Sequence, residues 1–104
     1  VEMSILHTVN KSTYERDTLE ACVRLAAKGG SVLLIEDGVY SAMSGGSKSS
    51  VIENAKGDLN FYVLGPDVKA RGISEDRLID GIKVVDYKGF VELTVSNDTV
   101  SAWL

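Results

Sequence analysis

The chain has 104 residues and a mass of 11.2 kDa, the size of one domain with one hydrophobic core. Because 44% of its residues are hydrophobic and its mean hydropathy is +0.05, an intrinsically disordered chain is excluded. Eleven basic and fifteen acidic residues give a net charge of −4, and we expect no direct nucleic-acid partner because phosphate binding needs a surplus of Lys and Arg. One cysteine excludes an internal disulfide, and one histidine excludes an ordinary Cys/His zinc site. We expect neither a metal nor a cofactor.

The apolar runs are short. The longest Val/Leu/Ile run is Val32–Ile35, whereas roughly 20 residues are needed to span a bilayer. No positively charged start leads into a signal-type apolar segment, so we expect a cytoplasmic protein without membrane contact. Val1 and Glu2, which precede Met3, are interpreted as an addition to a natural start at Met3. Residues 1–104 are predicted to form a single domain.

The first elements are a strand and a helix. The mostly apolar stretch Ser4–Val9 predicts the first strand. Ser12 followed by Glu15 has the spacing of a capping box, which predicts a helix start, and Gly29-Gly30 predicts the end of that helix. Its apolar residues recur at i, i+3, i+4 and i+7, as on one helix face: Leu19, Cys22, Val23 and Ala26.

The rest of the chain alternates strands and helices. Val32–Ile35 is apolar without alternation, as in a strand buried on both faces of a parallel sheet. Further strands are predicted at Leu59–Leu64, Ile82–Val85 and Val100–Leu104. Helical segments are predicted at Val39–Met43, Val51–Ala55, Val68–Arg71 after Pro66, and Lys88–Ser96 after Asp86. Val91–Val95 also has strand propensity, but its helical spacing favours a helix.

This alternation implies right-handed crossovers. We therefore predict an α/β fold, a single three-layer doubly wound domain with a mostly parallel sheet of about five strands.

Two features invite a nucleotide-binding or hydrolytic interpretation. The loop Ser44–Ser49 contains Gly, Ser and Lys, but Ser47 precedes Lys48 where a Walker A motif requires glycine, so a surface loop is favoured. His7, placed at the end of the first strand, and Asp37, in an Asp-Gly turn, are candidate acid–base groups. A structural role is favoured for His7, and an Asp-Gly turn explains Asp37 as well as an acid–base role does. No G-x-S-x-G elbow presents a serine.

Cys22 is the candidate catalytic thiol, either as a nucleophile or as a sulfur carrier. A reactive cysteine needs a nearby cation or a helix N-terminus to lower its pKa. Its helical neighbours Thr18, Leu19, Leu25 and Ala26 are uncharged, and it lies near the middle of its helix. A structural role is therefore favoured, although a neighbouring subunit could change this environment.

Several segments together resemble the DsrH/TusB family. Val32–Ala42 is similar to the "LLLxDGVxAA" segment of that family, and the similarity runs from Met3 to Leu104. The other matching segments are Ile5–His7, Phe61–Leu64, Asp67–Ile73, Val85–Val95 and Trp103.

The resemblance implies a subunit of a cytoplasmic sulfur-relay complex. The complex would be a heterohexamer holding two copies each of this chain, a DsrE-like subunit and a DsrF-like subunit. A TusA-like donor would supply persulfide sulfur, and a DsrC-type or TusE-type acceptor would receive it. In the DsrEFH version the relay serves sulfur oxidation. In the alternative, TusBCD, it serves thiolation of a tRNA wobble uridine.

The resemblance also implies an auxiliary, non-catalytic role. The DsrE/TusD sisters carry their active cysteine seven residues before the arginine of an Arg-Gly pair. The same spacing from Arg71 leads to Leu64, which cannot carry a persulfide. Cys22 lies elsewhere and does not replace that thiol by alignment, but its presence favours DsrH over TusB.

Overall fold

The computed structural model describes residues 4–104 and contains a sheet of five parallel strands, in the order β4-β3-β2-β1-β5. The strands are β1 Ile5–Val9, β2 Ser31–Leu34, β3 Asn60–Leu64, β4 Lys83–Val85 and β5 Thr99–Trp103. Every predicted strand is confirmed to within a few residues, and so is the α/β class. The interpretation of Val1, Glu2 and Met3 falls outside the described residues.

Helices lie on both faces of the sheet. They are α1 Thr18–Leu25, α2 Ser50–Ala55, α3 Gly65–Ala70 and α4 Tyr87–Ser96, with 3-10 segments at Glu36–Ala42 and Glu75–Arg77. The first four strands are added in one direction, so right-handed crossovers place α1, α2 and α3 on one face. The connection from β4 to β5 reverses direction and places α4 on the opposite face. This arrangement is the predicted three-layer, doubly wound domain.

The main core lies between the sheet and the face that carries α1 to α3. Val32, Phe61 and Val63 point to this side and are buried with Leu19 and Ile52. Because side chains alternate along each strand, Leu6, Leu33 and Leu64 point to the α4 side. Both faces of β2 are buried, which explains its continuous apolar sequence.

The start and the end of α1 differ from the prediction. The Ser12 hydroxyl accepts a hydrogen bond from the Tyr14 N–H (3.1 Å), and the Ser12 carbonyl accepts from Glu15 and Arg16 (3.0 and 2.9 Å). These bonds close an isolated turn that competes with the helix, which begins only at Thr18. The helix ends at Leu25, and Gly29 (φ +88°) belongs to the turn that follows, so the predicted glycine cap is wrong as well.

The other predicted helices are confirmed. The Asp86 carboxylate caps α4 by accepting from the Gly89 N–H at 2.8 Å, and Pro66 lies in the first turn of α3. The turn predicted at Val39–Met43 begins earlier, at Glu36. Gly38 packs against the Val9 carbonyl, where a Cβ atom has no room. Of the helices within residues 4–104, none is long and apolar enough to cross a bilayer.

Candidate functional site

Leu64 occupies the position where the resemblance places the catalytic cysteine of the sister subunits. It is the last residue of β3, directly before α3, and its side chain is 3% exposed. This location is the carboxyl end of a central parallel strand, where α/β proteins commonly hold their reactive groups. The side chain is apolar, has no nucleophilic atom and points to the same side of the sheet as Val85.

An ion-paired cluster beside Leu64 joins α3 to the 3-10 segment that follows β2. The Arg71 Nε donates to Asp37 Oδ1 at 3.0 Å, and one terminal nitrogen of Arg71 lies 3.9 Å from Asp67 Oδ1. The other oxygen of Asp67 accepts from the Glu36 N–H at 2.7 Å, which holds Glu36 at a φ of +50°. Two carboxylates therefore neutralise the guanidinium, so the cluster links α3 to the 3-10 segment and leaves no surplus positive charge for an anion.

The candidate acid–base residues are held in structural contacts. Asp37 is tied to Arg71, which lies 34 positions along the chain. His7 lies in the middle of β1, so its predicted place at the strand end is wrong. The Trp103 indole N–H donates to His7 Nδ1 at 3.0 Å, which fixes the neutral tautomer with its proton on Nε2. Burial lowers the pKa of His7, as expected of a structural histidine.

Cys22 lies within the core on the buried face of α1. Its side chain is 0% exposed, and burial raises the pKa of its thiol from 9.0 to about 12. The cause is desolvation, which disfavours the thiolate. The core around it contains Leu19 and Ile52, both apolar. The structure thus separates Cys22 from solvent and from the position of Leu64.

The first three residues of the Ser44–Ser50 loop line an open pocket of about 490 Å³, together with Tyr14, Tyr40, Met43 and Arg77, among others. The loop is anchored by the Ser44 N–H, which donates to the Arg77 carbonyl at 2.7 Å. Lys48, which a phosphate loop would direct at its ligand, lies 4.0 Å from a Glu20 carboxylate oxygen. In residues 4–104, no three His, Cys, Asp or Glu side chains are grouped so that they could hold a metal ion.

Comparison with known proteins identifies the family. Residues 11–100 match the family model described as DsrH like protein. The chain belongs to the DsrH-like family. It is 36% identical to Protein TusB of Pectobacterium parmentieri over 95% of this chain and all of that protein, and 37% identical to Protein TusB of Erwinia tasmaniensis over the same shares.

Solved structures confirm the fold of this DsrH-like chain. The ychN protein from E. coli superposes with a TM-score of 0.86, at 20% identity, over 98% of this chain and all of that one. A protein of unknown function from Methanobacterium thermoautotrophicum gives a TM-score of 0.77, at 18% identity, over 96% and 99% of the two chains.

Within the DsrH-like family, these relatives bear on the choice between the two expected pathways, sulfur oxidation and tRNA thiolation. The presence of Cys22 favoured DsrH of a sulfur-oxidation complex. The relatives named TusB match the chain over nearly its whole length, and they support the alternative better. A thiol that the structure places in the core is a weak guide to pathway, because a buried cysteine serves equally well as a small apolar residue.

Proposed function

We propose that this chain is a non-catalytic subunit of a cytoplasmic sulfur-relay complex, with the role of TusB in thiolation of a tRNA wobble uridine. The observation that carries the proposal is the match of 36% and 37% identity over 95% of the chain to proteins named TusB. Leu64, at the position of the sister cysteine, supports the non-catalytic part.

The proposed chemistry takes place on a partner subunit. A thiolate of the partner attacks the outer sulfur of a donor persulfide, a new S–S bond forms, and the donor cysteine leaves as a thiolate. A second transfer of the same kind passes the sulfur to the acceptor. Each transfer is redox-neutral and needs an accessible thiolate, whereas Cys22 is inaccessible and protonated at neutral pH.

The proposed partners are two homologous chains, a TusD- or DsrE-type subunit with the active cysteine and a TusC- or DsrF-type subunit, in a 2+2+2 heterohexamer. This chain would complete the assembly and shape its docking surface for the TusA-like donor and the TusE- or DsrC-type acceptor. The ion-paired cluster of Asp37, Arg71 and Asp67 would serve that role by keeping α3 and the 3-10 segment beside Leu64 in a fixed arrangement.

Sulfur loading of the assembled complex tests the division of labour. The chain is co-expressed with its two homologous partners, the complex is incubated with a persulfide donor, and each subunit is weighed by mass spectrometry. We expect one added sulfur on the partner with the active cysteine and none on this chain. The matched controls are Cys22→Ala here and Cys→Ala in that partner. Sulfur on Cys22 that passes to the acceptor would contradict the proposal.

A cellular assay tests the pathway. The chain and its own partners are expressed in Escherichia coli cells that lack TusB, TusC and TusD, and the 2-thiouridine content of tRNA is measured by nucleoside mass spectrometry. We expect thiolation to be restored, and to be lost when the partner's active cysteine is replaced. An intact heterohexamer that restores no 2-thiouridine would favour the sulfur-oxidation alternative.

A further inference from the structure

The open pocket that contains Tyr14, Tyr40, Met43 and Arg77 in its lining, which we call the tyrosine pocket, has the size of a small-molecule site. Its volume of about 490 Å³ exceeds those of four other cavities, which are about 160, 280, 400 and 400 Å³. Its lining comes from the turn after β1, the 3-10 segment after β2 and the 3-10 segment before β4. The first two of these connections leave the carboxyl ends of adjacent parallel strands, where α/β proteins commonly bind ligands.

Hydrogen bonds fix one wall of the tyrosine pocket. The Arg77 carbonyl accepts from the backbone N–H of Ser44 at 2.7 Å and from the Ser44 hydroxyl at 3.0 Å. Two residues further on, the Ile79 N–H donates to the Ala42 carbonyl at 2.8 Å. Because these bonds hold the two segments together without a ligand, binding does not have to order them.

The opposite wall holds an aromatic side chain in a defined place. The Tyr14 hydroxyl lies so close to Gly46 that a Cβ atom on residue 46 would overlap it. Gly45, the preceding residue, has a φ of +75°, which favours glycine. The Ser12 hydroxyl accepts from the Tyr14 N–H at 3.1 Å and so fixes the backbone of Tyr14. The Tyr14 side chain is nevertheless 54% exposed, so part of its surface is free to stack on a planar group.

The lining of the tyrosine pocket carries one charge, which is positive. Arg77 is the charged residue of the lining, and within residues 4–104 its guanidinium forms no ion pair. Arg71, by contrast, is neutralised by two carboxylates. Ser12, 7% exposed, also lines the pocket, and its hydroxyl proton has no acceptor among the described residues. In a chain of net charge −4, these donors favour an anionic group, and a guanidinium pairs well with a carboxylate or a phosphate.

We propose that the tyrosine pocket binds a planar aromatic ring that carries an anionic group, either a carboxylate or a phosphate. The ring stacks against Tyr14 and Tyr40 and contacts the thioether of Met43. The anionic group accepts hydrogen bonds from Arg77. Lys48, which would serve a phosphate loop, is not part of this lining. The inference goes beyond the sulfur relay and does not depend on it, because it uses none of the residues of the cluster beside Leu64.

Calorimetric titration of the full chain tests the ligand class. Two anions, 2-naphthoate and adenosine monophosphate, are compared with their neutral counterparts, 2-naphthamide and adenosine. We expect saturable one-to-one binding of an anion, and binding of its neutral counterpart that is weaker by about tenfold or more, because a charge-assisted hydrogen bond is lost. Tighter binding of naphthoate assigns a carboxylate ligand, and tighter binding of the nucleotide assigns a phosphate ligand. Absence of saturable binding by both anions, or equal binding of an anion and its neutral counterpart, would overturn the inference.

Two matched pairs of variants locate the site. Arg77→Gln should weaken binding of the anion by about tenfold, whereas Arg24→Gln, at an exposed position of α1, should leave it unchanged. Gly46→Ala should displace the Tyr14 side chain and weaken binding as well. Gly57→Ala is its control, because a Cβ atom at residue 57 meets nothing within 4 Å. Melting curves by circular dichroism check that each variant is folded. Equal affinities within both pairs would place the ligand elsewhere and contradict the proposal.

The assembled complex separates a ligand from a partner side chain. The same titration is repeated on the chain bound to its homologous partners, where we expect the affinity of the free chain to be retained. Binding that disappears on assembly would show that a partner chain fills the pocket, so the ligand inference would be wrong while the relay proposal would stand. Failure of the relay proposal in the sulfur-loading assay would leave binding by the isolated chain unaffected, so the two proposals fail separately.

Discussion

The reactivity of Cys22 gives the sharpest test of the view that this chain does not carry sulfur. The rate at which Cys22 reacts with a disulfide reagent such as 5,5′-dithiobis(2-nitrobenzoate) is measured in the native protein and in the unfolded protein, at the same neutral pH. Burial raises the pKa of the thiol from 9.0 to about 12. A difference of three pKa units lowers the thiolate fraction at neutral pH by about 1000-fold.

The more basic thiolate is a better nucleophile, and its higher intrinsic reactivity partly compensates for the lower thiolate fraction. A Brønsted coefficient of about 0.4–0.5 over three units restores a factor of roughly 16–32 in rate, so a net slowing of about 30–60-fold remains. The side chain is 0% exposed, so the reagent must also wait for an opening of the core, which slows labelling further. We therefore expect native Cys22 to react at least about 30-fold more slowly than the unfolded thiol.

The matched control is Leu25→Cys in a Cys22→Ala background. Residue 25 lies on the same helix three positions further on and is 70% exposed, so this thiol should react almost as fast in the native protein as in the unfolded one. If Cys22 in the native protein reacts at a rate within about threefold of the rate of the control thiol, the reasoning from burial is refuted. It would also restore Cys22 as a sulfur carrier.

Three further predictions concern groups outside α1. Burial lowers the pKa of His7, so the unfolded chain binds a proton more readily than the native one. The free energy of unfolding, measured in urea at several pH values, should therefore fall as the pH drops below about 6.5, and His7→Gln, which keeps an acceptor for Trp103, should remove that dependence. Arg71→Met should lower the free energy of unfolding by only about 1 kcal/mol, because solvent partly screens the ion pairs of Arg71 with Asp37 and Asp67. Arg71→Lys should recover only part of that loss. An unchanged free energy of unfolding in Arg71→Met would exclude a linking role for the cluster. The net charge of −4 predicts no binding of tRNA by this subunit in fluorescence anisotropy at physiological salt, and salt-sensitive micromolar binding would contradict that expectation.

The strands could be predicted from sequence because each is a short apolar run between turn residues. Val32–Ile35 is the clearest case, since β2 lies at the centre of the sheet and both of its faces are buried. The start of α1 could not be predicted in the same way. Ser12 and Glu15 have the right spacing for a capping box, but the Ser12 hydroxyl bonds to a backbone N–H only two residues on, and spacing alone does not distinguish that turn from a helix cap.

The site contacts were invisible to sequence patterns because they join distant positions. Arg71 donates a hydrogen bond to Asp37, which lies 34 positions away in the sequence, and Trp103 donates one to His7, which lies 96 positions away. The burial of Cys22 was predictable, since it shares an apolar helix face with Leu19. The exposure of Val91 and Val95 was not predictable, because helical periodicity shows that α4 is amphipathic without showing how much of the sheet one helix covers.

The order of the strands has a consequence for how the chain is made. The first strand, β1, lies between β2 and β5, so one of its two neighbours is the strand that follows it by more than 90 residues. Ser4 and Asp98 reinforce the junction, because the Ser4 N–H donates to the Asp98 carboxylate at 2.8 Å. During synthesis, β1 therefore emerges before the other strands and keeps one edge without a partner until residues 99–103 have left the ribosome. An apolar strand edge left open for that interval can pair with another chain, so we expect the risk of wrong pairing to be highest before β5 emerges.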